Sequence, residues 1–535
     1  MLMTGGDLPE AVEVKLSAGN IGDAINQAFP DSVALVQTGD RGGEVTYREF
    51  TDRVLSLQAT LQSRGIKPGD HVAIIGLNSI DWIAAFYGIM RAGAVAVPVS
   101  HKFPQSVLTY VLGNAESVLV LADRADRVPE GSVPVVLLSE VAQTSGTAQT
   151  PSSDVDGGEE PVSPAAVVRA DDPAMVLYTS GSTGKPKGVV RSHGSHVWIM
   201  EQGERVSDGR HRTILVSAPL YHMNGLATVQ GALLHGDTIV LQQAFDSRGF
   251  LQAVADHEVT RLTGVPPMMA LALREQDLID SLDLSPVTEQ LFGSAPLTEE
   301  LIDDIAAVFP GSKLTISYGT TETGPVAFAP HPDGIPSPTN SVGVAHRAVK
   351  VRLLDTDGTV LVQDGLDGDL RPDTDIVGNL ALSAPGELID YLNRPDLARP
   401  IDEEGYYVTG DLFRRDRDGF YFFTGRVDDM FTSGGENVHP AAVEEVLVAH
   451  PAVKEAAVVP VADELKGAKP VAFVVPQPGR DVTEQELKDW ALGRMEPYAH
   501  PRRVFFLDSL PLSGTNKVDR NGLEKLANDR IGESQ

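Results

Sequence analysis

Tyr178-Thr179-Ser180-Gly181-Ser182-Thr183-Gly184-Lys185-Pro186-Lys187-Gly188 decides how this chain is read. The preceding residues, VVRADDPAMVL, are apolar enough to predict a buried strand ending near Leu177. The stretch itself interleaves four hydroxyl residues with Gly181, Gly184 and Gly188 and with Lys185 and Lys187. Glycines let backbone N–H groups come close to an anion, hydroxyls add donors and lysines add charge. This is the chemistry of a polyphosphate grip. A plain Gly/Ser linker explains neither the two lysines nor the strand leading in. The G-x-x-x-x-G-K-[ST] loop is excluded: Thr179 stands at its first glycine, and Pro186 stands where it needs a magnesium-binding hydroxyl.

The surrounding chain fits a nucleotide-using α/β protein. At 535 residues it exceeds one compact core and predicts two or more domains. With no cysteine, disulfides, thiolate metal sites and cysteine nucleophiles are impossible. A formal charge of −31 opposes a general nucleic-acid surface but allows a locally positive pocket for ATP. The first residues lack a signal peptide's basic flank and apolar run, and no apolar stretch approaches the ~20 residues of a membrane helix. The expectation is a cytoplasmic chain without a membrane span.

Helix and strand signals alternate from 44 to 139: a helix over 46–64 stopped by Gly65, strands at 71–77, 94–100 and 117–123, and a helix over 81–93. That alternation predicts a parallel sheet with helices on both faces. Residues 141–164 read as a flexible surface loop. A second α/β run has a strand leading into a polar turn over 214–226, strand signals at 237–242 and 260–269, a strand, a Gly-Ser-Ala turn and a helix over 290–309, and a strand ending in a hydroxyl-rich turn over 314–324. Four strands end in polar turns, at Thr179, His222, Ser294 and Thr320, and these turns are candidates to meet in one crevice. Short strands and Asp-Gly turns over 341–427 predict a β-rich subdomain. Beyond Arg426, helices at 440–450 and 484–495 with strands at 453–461, 469–476 and 502–512 predict a small α+β domain.

Five segments in order carry a resemblance to the adenylate-forming superfamily of acyl-CoA synthetases, adenylation domains and luciferases. They are the 178–188 loop, YGTTETG (318–324), VTGDLFRRDRDGFYFFTGR (408–426), SGGENVHPAAVEEVL (433–447) and PLSGTNKVDR (511–520). The resemblance covers nearly the whole chain. It implies a large domain over 1–427 and a mobile domain over 428–535, turning at a hinge at Asp428. It further implies an ATP-dependent carboxylic acid–CoA ligase forming an acyl-adenylate and then a thioester, using ATP, Mg2+ and coenzyme A. A standalone adenylation enzyme loading a carrier protein, and a non-catalytic nucleotide-binding protein, are the alternatives. The glycine loop and the lack of an attached carrier segment favour free CoA. Similar enzymes leave a homodimer open.

The same resemblance implies residue roles. Thr179, Ser180, Gly181, Ser182, Thr183, Gly184, Lys185 and Lys187 would cradle the β- and γ-phosphates. Gly293, Ser294, Ala295, Pro296, Tyr318, Gly319, Thr320 and Thr321 would line the nucleotide. Glu322, with Thr179, would hold Mg2+, a cation that prefers oxygen ligands. Asp411 would accept from the ribose hydroxyls and Arg426 would contact the ribose, although Asp after Gly is alone an ordinary turn residue. Lys517 would bridge the carboxylate and the α-phosphate; Asn516 replaces the usual glycine before it. Gly434, Gly435 and Glu436 would guide the thiol of CoA, with His439 in place of a common Tyr. VGNLAL (377–382) departs from the family's G-E-[LI] without touching the chemistry. His222 would stand beside the reacting carboxylate, gating water or the thiol. The acid pocket would be formed by His222, Met223, Asn224, Ala227, Gly293, Ser294, Tyr318, Gly324 and Val326. Met223 and Asn224 stand where amino-acid-activating relatives place an Asp, and a buried ammonium without a carboxylate is expensive. An aryl or medium-chain fatty acid is therefore expected, not an α-amino acid.

Overall fold

The computed structural model describes residues 19–39, 42–144, 164–179, 186–202, 211–294, 297, 299–365, 370, 374–397, 400–427, 429–433, 436–438, 440–463, 467–495, 497–512 and 518–532. The chain divides into two compact units, one of Met1–Lys350 with Leu382–Tyr407 and one of Val351–Ala381 with Val408–Gln535.

The first unit contains two seven-stranded sheets. In one, the strands run in the order Lys313–Ser317, Glu289–Gly293, Arg261–Gly264, Thr213–Val216, Thr238–Leu241, Val33–Gln37 and Gly43–Thr46. All neighbours are parallel except the last pair, so six strands open their carboxyl ends on the same edge. In the other, Val135–Leu137, Leu119–Ala122, His71–Ile75, Val95–Val99 and Pro173–Thr179 are parallel. Lys187–Ser192 then turns back antiparallel on Pro173–Thr179, and Asp390–Tyr391 closes that edge. Pro173–Thr179 and Lys187–Ser192 thus form a hairpin, with Thr179 opposite Lys187. Gly188 is required there: a Cβ would lie 2.9 Å from Val176 and 3.0 Å from the Tyr178 ring.

Strand periodicity sorts the side chains between layers. Val72, Ile74 and Ala96 enter a core shared with Ile214, Val216, Ile239 and Leu241 of the other sheet, while Ala73, Ile75, Val95 and Val97 face the opposite way. The helices Tyr47–Ser63, Ile80–Arg91 and Met223–His235 fill that shared layer. Tyr47–Ser63 starts at a Thr46/Glu49 capping box, and Gly65 follows it at φ +82°. Trp82 stacks on Phe86 at 5.8 Å, both fully buried. Each such side chain contributes about 1.5–3 kcal/mol on burial, so this layer holds both sheets in place.

The second unit pairs Val360–Asp364, Lys350–Leu354, Ile376–Ser383, Tyr407–Arg415 and Tyr421–Arg426 in a five-stranded sheet. Buried Asp364 accepts from Arg415 at 2.8 Å and from Tyr421 at 2.7 Å. The remainder packs Pro440–Val448, Glu484–Leu492 and Arg520–Gly532 with Val453–Asp463, Gly467–Pro476 and Arg503–Phe506.

Three expectations change. The loop read over 141–164 begins inside the helix Leu138–Thr144, and 145–163 lie outside the described residues. The strand read through 269 stops at Gly264, because Pro266 and Pro267 start a helix, where a missing N–H does no harm. The run over 214–226 is, as read, a strand that leads into a turn, and the helix Met223–His235 follows. The strand read over 502–512 ends at Phe506. No helix among the described residues is long and apolar enough to cross a membrane.

Candidate active site

Within the first unit, the hairpin and the YGTTETG turn come together through side chains. The turn follows Lys313–Ser317 and closes on itself: Gly324 N–H donates to the Thr320 carbonyl, and the Thr320 and Thr323 hydroxyls are 2.9 Å apart. Gly319 is needed at its base, since a Cβ would lie 2.5 Å from the Gly324 carbonyl oxygen. This folding buries Glu322 to 7 % exposure.

Glu322 is held by residues that the motif did not announce. The Tyr391 hydroxyl donates to Glu322 Oε1 at 3.0 Å. Lys187 Nζ reaches the same hydroxyl at 3.5 Å and lies 4.6 Å from the Tyr391 ring centre. Tyr407 bonds to Tyr391 in turn. Burial, reinforced by the Glu322 charge, pushes both phenols above their ordinary range, so they remain protonated donors. From the hairpin, one terminal nitrogen of Arg191 donates to the Thr321 and Glu322 carbonyls, both at 2.9 Å. Leu388 N–H adds a second bond to the Glu322 carbonyl at 2.7 Å. Tyr391, Tyr407 and Arg191 escaped the sequence reading because nothing in their local sequence marks them.

The neighbouring turns share the same sheet edge. Gly293 is in register with Ser317, and a Cβ there would lie 2.4 Å from the Ser317 hydroxyl. Ser294 follows at φ +67°. His222 precedes the helix Met223–His235, with its ring 4.7 Å from that of Tyr221. Asn224 donates to the Gly264 carbonyl at 3.3 Å. Met223 and Ala227 are half-buried on this helix, Tyr318 is half-buried with its ring 6.0 Å from Phe328, and Val326 is buried.

In the second unit, Asp411 and Arg426 face each other in register, and Arg426 donates to Asp411 Oδ1 at 2.8 Å. Asp411 is anchored by its N–H on the Thr409 hydroxyl, which donates to Leu380. Phe431–Ser433 and Glu436–Val438 pair antiparallel. Ser180, Gly181, Ser182, Thr183, Gly184, Lys185, Ala295, Pro296, Asp428, Gly434, Gly435, His439, Asn516 and Lys517 lie outside the described residues.

The donor set suits a magnesium nucleotide. Magnesium is bound by one or two carboxylates together with phosphate oxygens, not by an all-protein cage. Glu322 supplies a fixed, nearly buried carboxylate, and Lys187 is in the same hydrogen-bonded group.

The ends of the two sheets bring hydroxyl, lysine and carboxylate groups together, a donor set suited to handling a nucleotide. The model of the AMP-binding enzyme family matches residues 23–373, and that of the AMP-binding enzyme C-terminal domain matches 442–517. The chain belongs to the AMP-binding enzyme family. It is 31 % identical to a feruloyl-CoA synthase of Amycolatopsis sp over 89 % of this chain and 93 % of that one. It is 31 % identical to 4-coumarate–CoA ligase 1 of Petroselinum crispum over 91 % of this chain and 89 % of that one. The structure of O-succinylbenzoate coenzyme A synthetase from Bacillus subtilis, in complex with ATP and magnesium ion, aligns with a TM-score of 0.77. It is 27 % identical and covers 94 % of this chain and 99 % of that one.

Proposed function

We propose that this chain, an AMP-forming acid–thiol ligase, activates an aryl carboxylic acid. The acid attacks the α-phosphorus of ATP and expels pyrophosphate; the CoA thiolate then attacks the acyl carbon and releases AMP. The curated relatives quoted above carry the names of aryl-acid CoA ligases, and half-buried Met223 and Ala227 and buried Gly293, expected in the acid pocket, carry no charge.

The observation that carries the reading is the Lys187–Tyr391–Glu322 group. Adenylation joins two anions, so charge must be neutralised and the line of attack held. Lys187, with the hairpin tip, holds the outer phosphates. Glu322 is the carboxylate to which Mg2+ binds, supplying charge neutralisation on the phosphates. Asp411 accepts from the ribose hydroxyls, with Arg426 fixing its carboxylate. His222 stands beside the acid. Lys517 steadies the charge that develops between carboxylate and α-phosphate. Gly434, Gly435 and Glu436 guide the thiol after the 428–535 segment turns at Asp428. The work is cytoplasmic, where ATP and CoA are supplied.

The test is pyrophosphate release from Mg·ATP with cinnamic-type, benzoic-type, fatty and amino acids, with and without CoA. Release with an aryl acid and a CoA-dependent thioester is expected. Preference for fatty acids overturns the aryl assignment; release without thioester overturns free CoA as acceptor.

A further inference from the structure

Arg191 is the largest charged side chain in the first unit with no exposed surface: its relative exposure is 0 %. A buried guanidinium is expensive unless hydrogen bonds and opposite charge compensate it. Here the compensation is incomplete. One terminal nitrogen bonds the Thr321 and Glu322 carbonyls. Nε and the other terminal nitrogen have no hydrogen-bond partner among the described residues. That second nitrogen lies 3.4 Å from where a Gly324 Cβ would stand, and Ile199 lies 2.5 Å from the same point. Arg191 therefore meets the turn at both ends, at the 321–322 carbonyls and at the Gly324 backbone. Gly324 sits at φ +78°, a conformation that disfavours a side chain. An apolar residue of equal length would fill the same space without the desolvation penalty. A buried charge with two nitrogens unpaired among the described residues points to a function other than packing.

We propose that Arg191 is a positioning residue for the magnesium-binding carboxylate, fixing the backbone of the Thr321–Glu322 turn from the phosphate hairpin. The inference rests on the magnesium role proposed for Glu322. Arg191 stands on Lys187–Ser192, four residues after the hairpin lysine. Movement of the hairpin is thus transmitted directly to the carbonyl of the residue whose carboxylate binds the metal. The carboxylate is held from the other side by Tyr391, so backbone and side chain of Glu322 have separate anchors. The charge persists through the physiological range: burial lowers the Arg191 pKa to about 10, opposed by Glu322 and Glu387.

The test uses full-length Arg191→Met and Arg191→Lys. Thermal melting is measured, together with pyrophosphate release against free Mg2+ at fixed ATP and acid, and the KM for the acid. Loss of a group that orients a metal ligand lowers metal affinity or activity by about 10–100-fold. Arg191→Met is expected to need Mg2+ higher by that order, with the KM for the acid little changed. Arg191→Lys should recover part of the loss, since one ammonium keeps the charge but not the fork. Unchanged Mg2+ dependence in Arg191→Met overturns the proposal, as does a loss of melting temperature and rate with no shift along the Mg2+ axis. If Arg191→Met does not fold, Arg191→Lys decides: a several-fold shift supports the role, and wild-type Mg2+ dependence overturns it. Glu322→Gln is run in parallel. If its Mg2+ dependence matches wild type, the magnesium reading falls and this inference with it; if only Arg191 is silent, that reading stands.

Discussion

Tyr391 donates its hydroxyl proton to Glu322 Oε1 across 3.0 Å. Because the same hydroxyl is within 3.5 Å of Lys187 Nζ, one phenol ties the hairpin lysine to the acidic turn. The carboxylate keeps a fixed oxygen before any nucleotide arrives, which reduces the ordering that binding must pay for.

Tyr391→Phe removes that link while keeping the ring. Adenylate formation should fall about tenfold, because the carboxylate and the lysine lose their common anchor. Stability should change by only about 0.5–1.5 kcal/mol, the net worth of a hydrogen bond. Pyrophosphate release and thermal melting on the same preparation check both. A wild-type rate would show that Tyr391 only packs.

Asp411→Asn keeps the shape but loses the charged acceptor that Arg426 holds at 2.8 Å. The wild type should prefer ATP over 2′,3′-dideoxy-ATP by about 10-fold or more, consistent with the ~1.5–3 kcal/mol of hydrogen bonds to a charged group. The variant should lose most of that preference. An undiminished ratio of kcat/KM values would remove Asp411 from the ribose.

Lys517→Ala should lower adenylate formation by about 100-fold or more, in the range for loss of a group stabilising transition-state charge. Thioester formation from supplied acyl-adenylate should be largely spared. Equal losses in both half-reactions would contradict a 428–535 segment that turns between two arrangements.

Glu387 predicts a pH signature. Its carboxyl is pushed up to about 7, chiefly by burial, against the Ala384 N–H that donates to it at 2.6 Å and the Arg191 charge. Because the folded pKa lies above the unfolded value near 4.5, the native state binds the extra proton between those two pH values. The associated stability is full below about pH 4.5 and is lost as pH rises through about 7. Glu387→Gln lacks that loss. Its stability relative to wild type should therefore rise from pH 5 to pH 8, by on the order of 1–2 kcal/mol after allowance for partial exposure. Parallel melting curves for the two proteins would refute this.

Periodicity and turn chemistry made most of the scaffold legible. Continuous apolar runs marked His71–Ile75 and Val95–Val99 as buried strands, and a 3.6-residue stripe stopped by Gly65 marked Tyr47–Ser63. The edge failed where a short apolar run suits either element, as around Pro266.

What the sequence determined by itself is what adjacent residues encode together: the strand before the hydroxyl-glycine-lysine tip, the Glu322 turn and the Asp411 and Arg426 motifs in order. Tertiary structure alone decided which residues stand behind them. Lys187 meets Tyr391 across 204 residues, Arg191 meets the Glu322 carbonyl across 131, and Tyr391 meets the Glu322 carboxylate across 69. Those encounters follow from strand order, in which Lys187–Ser192 lies between Pro173–Thr179 and Asp390–Tyr391. Strand order is fixed by how whole sheets and their helices bury apolar area together, and no local window of sequence carries that sum.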